Sequence, residues 1–111
     1  MQSAISPYYR VNKFIVPKDS RDAFLSLIAT THGVVRRQPG FVRDLVLEQQ
    51  SGPGQFNFVT LLEFSGIEVV PQITQALADF DAQTGVDRKA VAMELGVKSD
   101  MANYRPLPMP L

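Results

Sequence analysis

The sequence contains a single histidine, His32, and no cysteine. The lack of cysteine excludes disulfides, Cys-ligated zinc, iron–sulfur clusters and thiolate catalysis. One histidine also excludes a metal site built from several imidazoles. An imidazole has an ordinary pKa near 6.5, which suits a general base at neutral pH. His32 is therefore a candidate catalytic base if it reaches a cavity. The alternative is a histidine on the flank of a helix that is solvated or hydrogen-bonded.

Two further polar residues are candidates for catalysis. Asn12 falls in a predicted strand, where asparagine is disfavoured, and shares a strand face with Phe14 and Val16. Its alternative role is that of a polar residue on an edge strand. Tyr104 falls in the last predicted strand, and its hydroxyl could hydrogen-bond a ligand. Its alternative role is ordinary packing in the core.

Three aromatic residues are candidates for binding the substrate. They are Phe14 in the first strand, Phe64 at the end of the third strand and Phe80 on the second main helix. Each could line a ligand cavity. Because large aromatic side chains also dominate hydrophobic cores, core packing is the alternative for all three.

Composition limits the possible partners. Eleven Lys and Arg balance eleven Asp and Glu, so the chain lacks the basic field of a nucleic-acid binder. The sequence has no apolar run long enough for a membrane span, and its first residues do not resemble a secretory signal. We therefore expect a cytoplasmic protein with no nucleic-acid or membrane partner. Residues 1–111 are expected to form one domain, with a core at about 9–105 and a Pro-rich tail at 106–111.

Hydrophobic periodicity and turn residues predict four strands and three helices. The strands are expected at 9–16, 41–50, 55–64 and 98–105, and the helices at 20–37, 71–82 and 87–95. The order is βαββαβ with one extra short helix. It predicts an α+β, ferredoxin-like fold with a four-stranded antiparallel sheet.

The predicted hairpin has apolar residues on both faces. Strict alternation puts Phe41, Arg43, Leu45 and Leu47 on one face, and Val42, Asp44, Val46 and Glu48 on the other. A sheet with one solvated face does not need this pattern. The second face is therefore expected to be covered by a second copy of the chain in a homodimer.

Three segments carry a resemblance to a known family. They are the opening strand VNKFIVP at 11–17, the helix-to-strand junction Gln38-Pro39-Gly40-Phe41 and the hairpin end LEFS at 62–65. Over residues 9–105 the chain resembles the antibiotic biosynthesis monooxygenase domains of the dimeric α+β barrel superfamily. The resemblance implies a homodimer whose two sheets close a barrel, with a ligand cavity between helices and sheet in each subunit.

The resemblance also bears on individual residues. Asn12 matches an asparagine that contacts the ligand in the haem-degrading branch. Phe64 stands where many relatives have tryptophan, so a mechanism that needs an indole N–H donor is unavailable. The haem-degrading branch takes its iron ligand from a histidine after the second helix, and residues 78–89 contain none. The expected cofactor is therefore none.

The family includes enzymes in which a deprotonated phenol or quinol supplies electrons directly to O₂. The resemblance thus implies a cofactor-independent monooxygenase acting on a small aromatic ligand. Its catalytic candidates are Asn12, His32 and Tyr104. The alternative is a non-catalytic ligand-binding or assembly domain with the same dimeric barrel.

Overall fold

The computed structural model describes residues 6–110. Its regular elements run from Tyr8 to Tyr104, close to the predicted core. The strands are β1 (Tyr8–Ile15), β2 (Phe41–Glu48), β3 (Phe58–Phe64) and β4 (Lys98–Tyr104), and the helices are α1 (Arg21–Arg36), α2 (Val70–Thr84) and α3 (Arg88–Glu94). Single 3₁₀ turns at Lys18–Ser20 and Ile67–Val69 precede α1 and α2.

All strand pairs are antiparallel and the sheet order is β2-β3-β1-β4. This confirms the predicted α+β, ferredoxin-like fold.

Local chemistry explains where several elements begin and end. The side chain of Asp87 accepts a hydrogen bond from the Ala90 N–H at 3.0 Å and so caps α3. Gly85 follows α2 with φ 72°, a left-handed conformation that glycine adopts without a Cβ clash. β3 begins at Phe58 rather than at 55, and the side chain of Asn57, just before it, bonds to the backbone of Val16 after β1. It accepts from the Val16 N–H at 2.8 Å and donates to the Val16 carbonyl at 2.9 Å.

The helices cover one face of the sheet, which we call the inner face. On β3 the inner residues alternate with partly exposed ones and are all buried: Phe58, Thr60, Leu62 and Phe64. The apolar core has two clusters. One contains Phe64, Leu62, Val35 and Ile73, and the other contains Phe14, Phe24, Ile28 and Phe58. Polar side chains occupy the inner face between the two clusters, at Asn12 and Thr60, which pair across β1 and β3.

The face assignment predicted for β2 is wrong at its first residue. Phe41 lies opposite Phe64, whereas Arg43 lies opposite Glu63, so the register shifts between Phe41 and Arg43. A bulge of this kind adds one residue to a strand and reverses the alternation beyond it. Phe41 therefore shares the inner face with Asp44 rather than the outer face with Arg43 and Leu45.

The opposite, outer face of the sheet carries apolar side chains with no described element over it. Leu45 and Leu47 on β2 are 42% and 50% exposed, and Val11 and Leu61 beside them are partly exposed. The ladder registers place Leu45 opposite Leu61 and Leu47 opposite Val59. This patch is the surface for which the sequence predicts a partner.

Among the helices of residues 6–110, none has the length and apolar content needed to cross a bilayer. The expectation that no secretory signal is present concerns the first seven residues, most of which lie outside the described residues. The Pro-rich segment at 106–110 has no regular structure.

Candidate functional site

A cleft with two lobes lies between the inner face of the sheet and helices α1, α2 and α3. The first lobe has a volume of about 280 Å³ and the second about 470 Å³. Both lobes touch the same five residues, so they are parts of one cleft: Asn12, Ile28, Thr31, Arg88 and Met101. Its size is within the range of small-molecule sites.

Asn12 lines both lobes from β1. β1 lies between β3 and β4, so the alternative of an edge-strand residue is wrong. Its Oδ1 is buried and has no hydrogen-bond partner among the described residues. The same holds for Oγ1 of Thr60, directly opposite on β3. A buried polar atom without a partner costs about 1–3 kcal/mol, which disfavours a purely structural role for the amide.

His32 lies on α1 and lines the first lobe. The residue is only 3% exposed and bonds Asp44, so the hydrogen-bonded form of the structural alternative fits it and the solvated form does not. Its Nδ1 lies 2.8 Å from Oδ2 of Asp44 on β2. An ionised carboxylate only accepts hydrogen bonds, so Nδ1 carries the hydrogen. Nε2 then holds the lone pair and is the ring nitrogen available to the first lobe.

The electrostatics keep this imidazole neutral near pH 7. Burial lowers the pKa of His32 and outweighs the opposing hydrogen bond to Asp44. Burial alone would raise the pKa of Asp44, but hydrogen bonds from Arg36 and His32 lower it overall. Arg36 donates from Nε to the same Oδ2 at 3.0 Å. The result is a neutral, oriented base beside an ionised carboxylate, which is an arrangement suited to accepting a proton.

The family model for antibiotic biosynthesis monooxygenases matches residues 7–61. That span covers β1, α1, β2 and the start of β3, and therefore Asn12, His32 and Asp44. The chain belongs to the antibiotic biosynthesis monooxygenase family. No curated protein sequence matches it significantly.

Solved structures agree on the fold of this family member. A candidate monooxygenase from Shewanella loihica has 16% identity and a TM-score of 0.72, with 96% of this chain and 100% of that chain covered. SnoaB, a cofactor-independent oxygenase from Streptomyces nogalater, has 19% identity and a TM-score of 0.69, with coverages of 94% and 96%. A haem-degrading protein from Mycobacterium tuberculosis has 15% identity and a TM-score of 0.61, with coverages of 96% and 98%.

Asp44 is a residue of the candidate site that was not predicted from the sequence. The alternation of β2 grouped it correctly with Val46 and Glu48, but did not say that this group faces the helices. Its pairing with His32 joins residues 12 positions apart, on a helix and on the strand that follows it. An acidic residue in the middle of a mainly apolar hairpin strand was the available signal.

Tyr104 does not belong to the cleft. It pairs with Tyr9 in the β1–β4 ladder, and Tyr9 alternates with the inward-facing Asn12 and Arg10. Tyr104 is therefore on the outer face and is 46% exposed. It lies on the opposite face of the sheet from Asn12, and the catalytic role expected of it stays a prediction.

The three aromatic candidates lie in three different places. Phe14 lines the second lobe of the cleft, where it packs edge-on against Phe24 at 4.9 Å between ring centroids. Phe64 is completely buried in the core and lines no described cavity near the cleft. Phe80 packs against that same core cluster and borders a separate hollow between the helices. Of the six candidate residues predicted from the sequence, only Asn12, His32 and Phe14 line the cleft.

The described residues contain no group of three or more His, Asp or Glu side chains placed to hold a metal ion.

Proposed function

We propose that this chain is a cofactor-independent monooxygenase acting on a small phenol or quinol bound in the two-lobed cleft. The observation that carries the proposal is the neutral His32, held by Asp44, in the same cleft as the unpartnered amide oxygen of Asn12. The second lobe offers apolar walls for an aromatic ring, including Phe14, Phe24 and Ile28. The fold shared with SnoaB, named as a cofactor-independent oxygenase, supports the same reaction class.

The reaction can be written for anthrone, a simple tricyclic member of this substrate class. Nε2 of His32 takes a proton from the ring carbon opposite the carbonyl, which leaves an electron-rich enolate. The enolate transfers one electron to O₂, and the resulting radical and superoxide combine to form a carbon–oxygen bond. The peroxide takes the proton back from the imidazolium. Loss of the remaining hydrogen from that carbon, with cleavage of the O–O bond, gives one anthraquinone and one water.

The protein's part in this reaction is to bind, desolvate and move a proton. The electrons come from the substrate, and O₂ is both the oxidant and the source of the new oxygen atom. General-base catalysis by a positioned side chain contributes about 10²–10⁴-fold to a rate. The buried Asn12 amide oxygen has no protein partner, so it can accept a hydrogen bond from a phenolic hydroxyl of a substrate or from the O–H of the hydroperoxide.

The test is O₂ uptake and anthraquinone formation with anthrone, using protein treated with a metal chelator and free of flavin absorbance. We expect turnover above the uncatalysed oxidation, incorporation of labelled oxygen from ¹⁸O₂, and loss of activity in His32→Gln. Full activity in His32→Gln would contradict the role of the base. Binding of anthrone without O₂ uptake would instead favour the alternative, a non-catalytic ligand-binding domain.

The chain is also proposed to act as a homodimer whose outer sheet faces pack together. Support comes from the apolar outer patch, in which Leu45 and Leu47 are about half exposed and lie opposite Leu61 and Val59. A stable interface of this kind buries more than roughly 1,000 Å² in total. The single-domain organisation and the cytoplasmic location stay predictions.

A further inference from the structure

The first lobe of the cleft carries positive charge without a matching carboxylate among its lining residues. Two arginines, Arg10 on β1 and Arg88 on α3, line it together with the neutral His32. The other lining side chains are amide, hydroxyl or apolar groups. A cleft made only for a neutral phenol has no need of guanidinium groups, because removing them from water is costly.

Arg88 is already neutralised. Its Nε donates to Oδ2 of Asp81 at 3.1 Å, and the two side chains are about equally half-buried. Arg88 lines both lobes, so this ion pair stands where the lobes meet. It supplies hydrogen-bond donors to the cleft but little net charge.

Arg10 is different because it has no carboxylate within salt-bridge distance in residues 6–110. Arg21, Arg36, Arg43 and Arg88 each pair with one. The side-chain partner of Arg10 is the neutral amide of Asn103, whose Oδ1 accepts from Nε at 3.2 Å. Burial lowers the pKa of Arg10, as expected for a cation that has lost part of its hydration without gaining an anion. A bound anion would supply the missing partner.

We propose that Arg10 binds a carboxylate group of the substrate, so that this chain prefers aromatic substrates that carry a carboxylate to neutral ones. Arg10 and Asn12 lie on the same face of β1, two residues and about 7 Å apart along the strand, which is about the width of a substituted ring. Arg10 and His32 line the same first lobe, so the carboxylate and the position that His32 deprotonates both lie in that lobe. The planar fork of the guanidinium matches a carboxylate in a bidentate geometry.

The identity of the oxidised group rests on the proposed function, but the anion preference does not. The test therefore measures binding of two fluorescent probes that the chain cannot oxidise by this route, anthracene-2-carboxylate and its neutral isostere anthracene-2-carboxamide. We expect the native protein to bind the carboxylate at least about tenfold more tightly, since hydrogen bonds to charged groups contribute about 1.5–3 kcal/mol. Fluorescence titration gives both dissociation constants.

Variants assign the preference to one residue. Arg10→Gln should bring the two affinities to within about twofold, and Arg10→Lys should keep part of the preference because it keeps the charge. Arg21→Gln is the matched control, since Arg21 pairs with Glu48 outside the cleft. Equal affinities in the native protein, no binding of either probe, or a preference that survives Arg10→Gln would each overturn the proposal. Failure of anthrone oxidation alone would count against the proposed reaction and not against this preference.

Discussion

Nδ1 of His32 and Oδ2 of Asp44 are 2.8 Å apart, and Arg36 donates to the same carboxylate oxygen at 3.0 Å. The histidine is on α1 and the aspartate on β2, so the contact spans the first helix-to-strand connection. Because burial lowers the pKa of His32, and Arg36 offsets part of the charge of Asp44, the carboxylate orients the imidazole without holding it protonated. A base that is both oriented and neutral is the chemical centre of the proposed site.

Removing the carboxylate of Asp44 should make His32 a poorer base, although the imidazole itself stays in place. In Asp44→Asn, the amide can present its NH₂ to Nδ1 and favour the wrong tautomer, so kcat for anthrone should fall by at least about tenfold. Steady-state O₂ uptake measures this. Glu48→Gln is the matched control, because Glu48 is on the same strand face and bonds Arg21 outside the cleft. An equal loss of kcat in Asp44→Asn and Glu48→Gln would show that any charge removal on β2 lowers activity, and would contradict a specific role for Asp44.

The stability of the protein should depend on pH through His32. Its pKa is lowered from the ordinary value of 6.5, so the unfolded chain binds a proton there before the folded chain does. The stability is therefore fully present above pH 6.5 and decreases as the pH falls toward the lowered pKa. Asp44, whose pKa is also lowered, adds a loss only below its ordinary value of 3.8.

Urea denaturation at a series of pH values from about 7 to 5 checks this dependence. Because His32 is the only histidine, the His32→Gln variant should lack the decrease in this range. An equal decrease in the variant, or higher native stability at the acidic end, would contradict the prediction.

Asn12→Val should separate function from stability. The change removes a buried oxygen that has no partner and introduces a good strand former, so the free energy of unfolding should stay unchanged or rise by up to about 1 kcal/mol. Turnover of anthrone should be lost. Thr60→Val is the control, because it removes the unpartnered oxygen opposite Asn12 without changing a residue that lines the cleft. A lower melting temperature in Asn12→Val with unchanged ligand affinity would make the amide a structural hydrogen-bonding group.

Leu45→Glu should convert the proposed dimer into a monomer. It puts a charge into the apolar outer face, where desolvating an unpaired carboxylate is costly. Val46→Glu is a closely matched control, since Leu45 and Val46 are both 42% exposed but point to opposite faces of β2. Sedimentation velocity at micromolar concentration measures the state. A monomeric native protein would refute the dimer directly.

The elements of this chain follow from local patterns in the sequence. The stripe of Phe24, Ile28 and Val35 determines α1, and alternation from Phe58 to Phe64 determines β3, because each pattern matches the period of its element. Asp87 and Gly85 mark helix boundaries because capping uses only nearby backbone groups. From the order of these elements the ferredoxin-like topology could be predicted.

The composition of the site was decided by tertiary structure. The bulge after Phe41 depends on how β2 pairs with β3, so alternation alone put Phe41 on the wrong face. The register of β4 against β1 turned Tyr104 away from the cleft, and a shift of one residue would have turned it inward. The burial of His32 and its contact with Asp44 needed the packing of α1 on the sheet. Local sequence fixes the periodicity of each element, but only packing and register decide which side chains meet.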